Sequence, residues 1–233
     1  MLVLGLDTTT RQGSAALTRG GAVIAVQTGD AAIAHAARLP GDLLRLLDVE
    51  RLTFADVDLF AVASGPGSFT GLRIGIATMQ GLALANGKPL AGVSALDAIH
   101  HLITSAVGPQ PSATAVWMDA GRGQVFSAVY TIGAAVEAAS VDKPGDILER
   151  WDRDGLRPAV FAGDGAVSYR ELILAAHPDA HVMEALPPIA PSVARLGEVQ
   201  VRAGGNLSPD AIRPTYVRRS DVELARERAA AKS

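Results

Sequence analysis

An α/β fold of two related lobes is what this 233-residue sequence predicts. Three observations point there. An apolar run at residues 59–63 (Leu-Phe-Ala-Val-Ala) ends in the turn cluster Ser64-Gly65-Pro66-Gly67-Ser68, and a helical pattern follows. The chain also opens on an apolar run, residues 2–6, that stops at Asp7 and leads into a polar turn. Residues 114–130 repeat that opening: an apolar strand ends at Asp119, a glycine-bearing turn follows, and a second strand comes after it.

The elements follow in order. After strand 2–6 and the turn 7–13, residues 14–17 and 22–26 are apolar and flank Gly20-Gly21, which reads as a hairpin. A helix is expected over 33–47, with Leu39, Leu43, Leu46 and Leu47 at helical spacing; Pro40 implies a kink or a late start. Strand 59–63 and the glycine loop lead into a helix over 70–85, capped by Ser68 or Thr70 and stopped by Asn86-Gly87-Lys88-Pro89. The stretch Gly108-Pro109-Gln110-Pro111-Ser112 is the natural linker. It divides an N-terminal lobe, 1–107, from a C-terminal lobe, 108–233. A final helix is expected over 221–231, with Ser220 and Glu223 at capping-box spacing, and it can return to the first lobe.

Composition narrows the function classes. Hydrophobic residues make up 48% and aromatics only 4%, so the core is aliphatic. The net charge of −3 gives no global electrostatic case for nucleic-acid binding. The arginine-rich stretch 213–232 also carries Asp221, Glu223 and Glu227, and reads as a solvated mixed-charge helix. With no cysteine, disulfides, zinc–thiolate sites and thiol nucleophiles are excluded, which fits a cytoplasmic protein. The apolar start lacks a basic flank and is broken by Asp7, so it is expected to be a first strand rather than a signal peptide. No uncharged apolar run reaches membrane-spanning length.

Strand, glycine-rich loop and helix start form the arrangement in which α/β proteins hold anions, because free N–H groups at the helix start face the ligand. The usual phosphate motifs do not fit. No lysine precedes Lys88, and Gly65-x-Gly67-x-x-x-Gly71 is one residue too long for the dinucleotide pattern. On glycines alone, an anion site and a structural turn both remain open.

The string Gly-Pro-Gly-Ser-Phe-Thr-Gly-Leu-Arg-Ile-Gly at 65–75, with Leu-Gly-Leu-Asp-Thr-Thr-Thr at 4–10, resembles the bacterial TsaB (YeaZ) family. Ala34-His35-Ala36-Ala37-Arg38-Leu39 resembles that family's His-Ser-Glu-Arg-Leu stretch. Residues 118–126 resemble its Asp-Ala-Arg-x-Gly-Glu-Val-Tyr, and Gly163-Asp164-Gly165 and Pro214-Thr215-Tyr216-Val217-Arg218 also match. The resemblance covers nearly the whole chain. It implies the two-lobed plan of the acetate-kinase, sugar-kinase, heat-shock-chaperone and actin (ribonuclease H-like) superfamily. In that superfamily an aspartate at the place of Asp7 orients metal-bound nucleotide phosphates. The turn here has no glycine until Gly13, so a turn cap is preferred for Asp7, and likewise for Asp119. Asp7, Thr8, Thr9, Gly65, Pro66, Gly67 and Ser68 are the nucleotide or anion candidates.

Metal ligation finds no support. The related catalytic TsaD family carries two metal-binding histidines spaced i, i+4. Ala95 and Ile99 stand in the matching segment, and neither can bind a metal. His100 and His101 are adjacent and diverge on a helix. His177 and His181 have i, i+4 spacing, but Pro178 between them reads as a helix end. No Gly-x-Ser-x-Gly nucleophile elbow is present. No catalytic residue is assigned.

The resemblance implies a non-catalytic scaffold subunit in the biosynthesis of N6-threonylcarbamoyladenosine at position 37 of tRNA, supporting a catalytic TsaD subunit. A TsaE-like ATPase, with ATP and Mg in the assembled complex, is implied as well. This chain would bind no cofactor tightly and would meet tRNA only through the complex. The alternative is a stand-alone ATP-dependent kinase or metallopeptidase of the same superfamily. Helix 70–85 is apolar nearly all round and carries two small-residue rows, Gly71/Gly75 and Ala77/Gly81. With helix 33–47 it is expected to form a face used for a homodimer when alone and for TsaD when present. The candidate interface residues are His35, Leu39, Leu43, Gly71, Arg73, Gly75, Ile76 and Met79.

Overall fold

The computed structural model describes residues 1–107, 113–131, 134–205 and 207–217. The expected linker 108–112 and the expected helix 221–231 with its capping box lie outside the described residues.

Two five-stranded sheets carry the fold. In the first, β1 (Leu2–Asp7), β2 (Ser14–Arg19), β3 (Ala22–Thr28), β4 (Leu59–Gly65) and β5 (Leu90–Ser94) are ordered β3-β2-β1-β4-β5. In the second, β6 (Thr114–Gly121), β7 (Gln124–Thr131), β8 (Ala134–Asp142), β9 (Val160–Ala162) and β10 (His181–Val182) are ordered β8-β7-β6-β9-β10. The two orders are the same. In both sheets the first strand pairs antiparallel with the second and parallel with the fourth. The repeat of the chain's opening at 114–130 is therefore a repeat of topology.

The helices are α1 (His35–Val49), α2 (Phe69–Asn86), α3 (Ala95–Val107), α4 (Pro144–Arg153), α5 (Asp164–Ser168), α6 (Arg170–Ala176) and α7 (Ala190–Arg202). Helix α1 starts two residues later than expected and runs through Pro40. The Ser68 hydroxyl caps α2 by accepting from Gly71 N at 3.2 Å, and Gly87 ends it in the left-handed conformation at φ 61°.

Strand alternation divides the core. Phe60 and Val62 of β4 face outward to Leu39, Leu43, Leu46 and Leu47 of α1 and Ile76, Met79 and Ala83 of α2. Leu59, Ala61 and Ala63 face inward and join a central cluster with α3, α7 and the inner face of the second sheet, including Val116, Met118 and Phe126. On the far side of that sheet, Trp117, Trp151 and Phe161 form a third cluster. The layers thus run α1/α2, sheet, α3/α7, sheet, α4/α5/α6.

Small residues let the central layer close. A Cβ on Gly197 of α7 would lie 2.8 Å from the Ala61 Cβ, so the helix rests directly on β4. Helix α7 packs on β1, β2, β4 and β5, although it follows the second sheet in sequence. Residues 207–217 continue along the first lobe as a strap: Leu90 N donates to Leu207 O at 2.9 Å, and Thr215 N to Ser64 O at 2.7 Å. Gln80 Nε2 donates to the Pro209 and Ile212 carbonyls at 2.8 and 3.1 Å. The first lobe is therefore built from both ends of the described chain.

Candidate functional site

A cleft of about 650 Å³ opens between the lobes. Its walls are the turn after β1 (Thr9, Thr10, Arg11), the glycine loop (66–69), the turn after β6 (119–122), Asp164 and the end of the strap (215–217). A second opening of about 650 Å³ shares Thr9, Arg11 and Asp164 and continues past Asp7 to residues 183–189. Sequence repetition accounts for this convergence. The turns that follow β1 and β6, and the loops that follow β4 and β9, sit at equivalent ends of two like-ordered sheets.

Three carboxylates line the junction, each tied to backbone. Asp7 Oδ1 accepts from Thr9 N at 2.8 Å and from Thr9 Oγ1 at 2.6 Å. Asp119 Oδ1 accepts from Gly121 N at 2.8 Å in the same i to i+2 pattern. Asp164 Oδ1 accepts from Asp119 N and Gly165 N, both at 2.9 Å. The turn cap preferred for Asp7 and Asp119 is the geometry present. Burial pushes the Asp7 carboxyl above the usual aspartate range, and the bonds from Thr9 only partly oppose this. Although Asp164 opens into the cleft, the protein around it raises its carboxyl too.

The glycine loop is packed against the chain itself. A Cβ on Gly67 would lie 2.5 Å from the Thr9 Cβ, and side chains at Gly71 and Gly75 would run into Thr8. Ser68 N donates to Thr9 O at 2.8 Å, and Thr8 Oγ1 donates to Gly71 O at 2.8 Å. These glycines admit the Thr8-Thr9 turn onto the start of α2. Of the anion candidates, Thr9, Pro66, Gly67 and Ser68 line the first cleft and Asp7 the second opening. Thr8 points instead at α2, and Gly65 lies under Thr215 O.

Several interface candidates occupy other places than expected. Leu39, Leu43, Ile76 and Met79 are core, at most 4% exposed. The outward-facing positions are reached by a rotation of about 100° round each helix: Ala77 follows Ile76, and Leu44 follows Leu43. The Gly71/Gly75 row takes up the chain's own Thr8 rather than a neighbouring helix. His35 is not a surface histidine: it is nearly buried, with Nε2 2.8 Å from Thr10 O and Nδ1 2.9 Å from the Arg38 guanidinium. The other row is open: Ala77 is exposed and nothing lies within 4 Å of a Cβ on Gly81. Beside it Leu84 is 55% exposed, and Leu44 and Val49 of α1 are 52% and 73% exposed. Arg73 is exposed, with its guanidinium carbon 3.9 Å from the Phe69 ring centroid and Nε donating to Tyr216 Oη at 2.9 Å.

A family profile described as TsaD: tRNA N6-adenosine threonylcarbamoyltransferase matches residues 23–220. The tRNA threonylcarbamoyladenosine biosynthesis protein TsaB of Escherichia coli is 35% identical over 162 residues, which span 66% of this chain and 67% of that protein. The solved structure of YeaZ from Pseudomonas aeruginosa superposes with a TM-score of 0.76 at 28% identity, over 92% of this chain and 99% of that one. The chain belongs to the TsaB (YeaZ) family. Its two-lobed plan extends further. The activator of 2-hydroxyisocaproyl-CoA dehydratase from Clostridium difficile shares the fold at 12% identity and a TM-score of 0.52, over 88% of this chain and 97% of that one.

Sequence reasoning left Arg11, Arg122, Asp164 and Tyr216 out of the candidate site, yet all four line the cleft. The signal for Asp164 was available. Gly163-Asp164-Gly165 follows a strand of the second sheet just as the glycine loop follows β4. Tyr216 reaches the cleft only through the strap's return, which no local pattern announces.

Ala95 and Ile99, 0% and 4% exposed, belong to the central core. His177 follows the end of α6 and is buried, whereas His181 is exposed on β10, so the spacing of that pair is coincidental. Among the described residues, no group of three or more His, Cys, Asp or Glu is placed to hold a metal. No described helix is long and apolar enough to cross a membrane.

Proposed function

We propose that this chain is a non-catalytic partner subunit in the biosynthesis of tRNA N6-threonylcarbamoyladenosine, and that it supports a TsaD-like catalytic subunit. Its likeness to a protein named for that biosynthesis carries the proposal. Two features of the site support it. The start of α3 holds Ala95 and Ile99 in the core, at the positions where the TsaD resemblance places a metal-binding histidine pair. The glycine loop spends Ser68 N and Gly71 N on Thr9 O and the Ser68 hydroxyl.

The supporting surface is the outer face of α1 and α2, where Ala77, Gly81, Leu84, Leu44 and Val49 are exposed. The same face serves a homodimer when the partner is absent, so the two assemblies compete. A TsaE-like ATPase, with ATP and Mg, completes the complex in the cytoplasm, and tRNA meets this chain through the complex.

Affinity purification of the tagged chain from its own cells tests the proposal, with mass spectrometry of what co-elutes. Recovery of a TsaD-like subunit, and loss of the modified nucleoside from tRNA when the chain is depleted, are expected. Normal nucleoside levels after depletion would overturn the proposal. The interlobe cleft and Asp7 favour a kinase as the second reading. Calorimetry decides it: micromolar ATP affinity that Asp7→Ala abolishes would establish the kinase.

A further inference from the structure

Arg38 lies on the inner side of α1 and is almost fully buried. Its guanidinium reaches past the helix to the turn after β1. There it donates to the carbonyls of Gln12 and, at 3.5 Å, of Arg11; on the helix it donates to Asp42 at 2.5 Å. A guanidinium only donates, so His35 Nδ1 accepts from it and His35 Nε2–H donates to Thr10 O. Asp42 also holds the exposed Arg45. Arg38 and His35 thus grip three successive carbonyls, at residues 10, 11 and 12, while Asp42 braces the Arg38 guanidinium. Thr10 and Arg11 are walls of the cleft.

The fit is close. A Cβ on Gly29 would fall on the Arg38 guanidinium, so the end of β3 is glycine where the arginine passes. The space left between Asp7 and the Arg38–Asp42 pair is only about 10 Å³. Interiors packed this tightly pass a displacement on rather than absorb it. The outer side of the same helix carries Leu44 and Val49.

We propose that Arg38 is a positioning residue that couples the two sides of α1, so that a subunit docked on the outer face fixes the 9–13 turn and with it the shape of the interlobe cleft. The coupling rests on the partner reading above; the grip on the turn does not.

Hydrogen exchange of the full chain, resolved to residues 9–13, tests both parts. In the free chain, Arg38→Met is expected to speed exchange in that turn by about tenfold and to leave residues 72–83 of α2 within about twofold. Gly29→Ala, which displaces the guanidinium without altering α1, is expected to act in the same direction. Adding the purified TsaD-like subunit is expected to slow exchange over 9–13 in the unaltered chain, and not in Arg38→Met, although that variant still binds.

If the turn exchanges at the same rate in both variants and the unaltered chain, the grip is refuted. If the partner binds and slows the turn in Arg38→Met as well, or slows it in neither, the coupling is refuted. Failure of the partner to bind the unaltered chain would remove the functional reading and the coupling with it, and the free-chain comparison would still decide the grip.

Discussion

Thr8 and Asp7 give the residue scale its tests. Thr8 meets α2 at Gly71 and Gly75, where any side chain would collide with it. Gly75→Ala therefore forces either the turn or the helix to move, and costs about 1–3 kcal/mol by denaturant unfolding. Gly81→Ala, on the open side of the same helix, should be stabilising by roughly 0.5–1 kcal/mol, because helix propensity alone acts there. Asp7 makes a pH prediction. Its folded-state carboxyl is raised by burial, so the charged form is disfavoured in the fold and costs stability above that raised value. Below the ordinary aspartate value both states are protonated and the cost is gone. Asp7→Asn keeps the oxygen that accepts from Thr9 and removes the charge. Its melting temperature should exceed that of the unaltered chain near neutral pH, and the gap should close as pH falls toward about 4. A gap that widens on acidification would contradict the assignment.

At the scale of elements, α2 separates residues that a helical pattern alone leaves together. Its apolar side chains are distributed nearly all round, and only packing on the sheet decides which are core. Ile76 and Met79 face β4, whereas Ala77, Gly81 and Leu84 face out. Ile76→Glu places a charge among Leu39, Phe60 and Val62 and should prevent folding, with a cost above about 4 kcal/mol. Gly81→Arg should leave the circular dichroism spectrum unchanged and the melting temperature no lower than that of the unaltered chain, and weaken pairing with a TsaD-like subunit by at least about tenfold in calorimetry. If Gly81→Arg pairs normally, the partner face lies elsewhere.

Across the whole molecule, the two lobes share one interior. Val3, Ala61 and Val93 of the first sheet join Val116, Met118 and Phe126 of the second in a cluster with α3 and α7. Both tryptophans, Trp117 and Trp151, lie in the far core of the second lobe. Tryptophan fluorescence therefore reports the second lobe alone, whereas far-ultraviolet circular dichroism reports both. The two thermal transitions should coincide, because neither lobe can expose its inner face while the other stays packed. Separate midpoints would show that the lobes unfold independently. The strap adds to this: a chain ending at residue 206 loses the Leu207, Ile212 and Thr215 contacts with the first lobe and should melt at a lower temperature.

The sequence by itself determined the strands over 2–26, 59–63 and 114–130 and the helices near 33–47 and 70–85, because periodicity, caps and glycine stops are local; β5, β8 to β10 and α4 to α7 were not read from it. Ser68, Gly87 and the Gly20-Gly21 turn each act within a few residues of the element they bound. It also determined the internal repeat, since like patterns fold into like-ordered sheets. Only the tertiary structure decided which face of α2 is free, that His35 and Arg38 turn inward, and that α7 and residues 207–217 return to the first lobe. Each of these depends on what lies opposite a side chain. In α2 the glycines at 71, 75 and 81 are alike in sequence; Thr8 fills the space beside the first two and nothing fills the space beside the third.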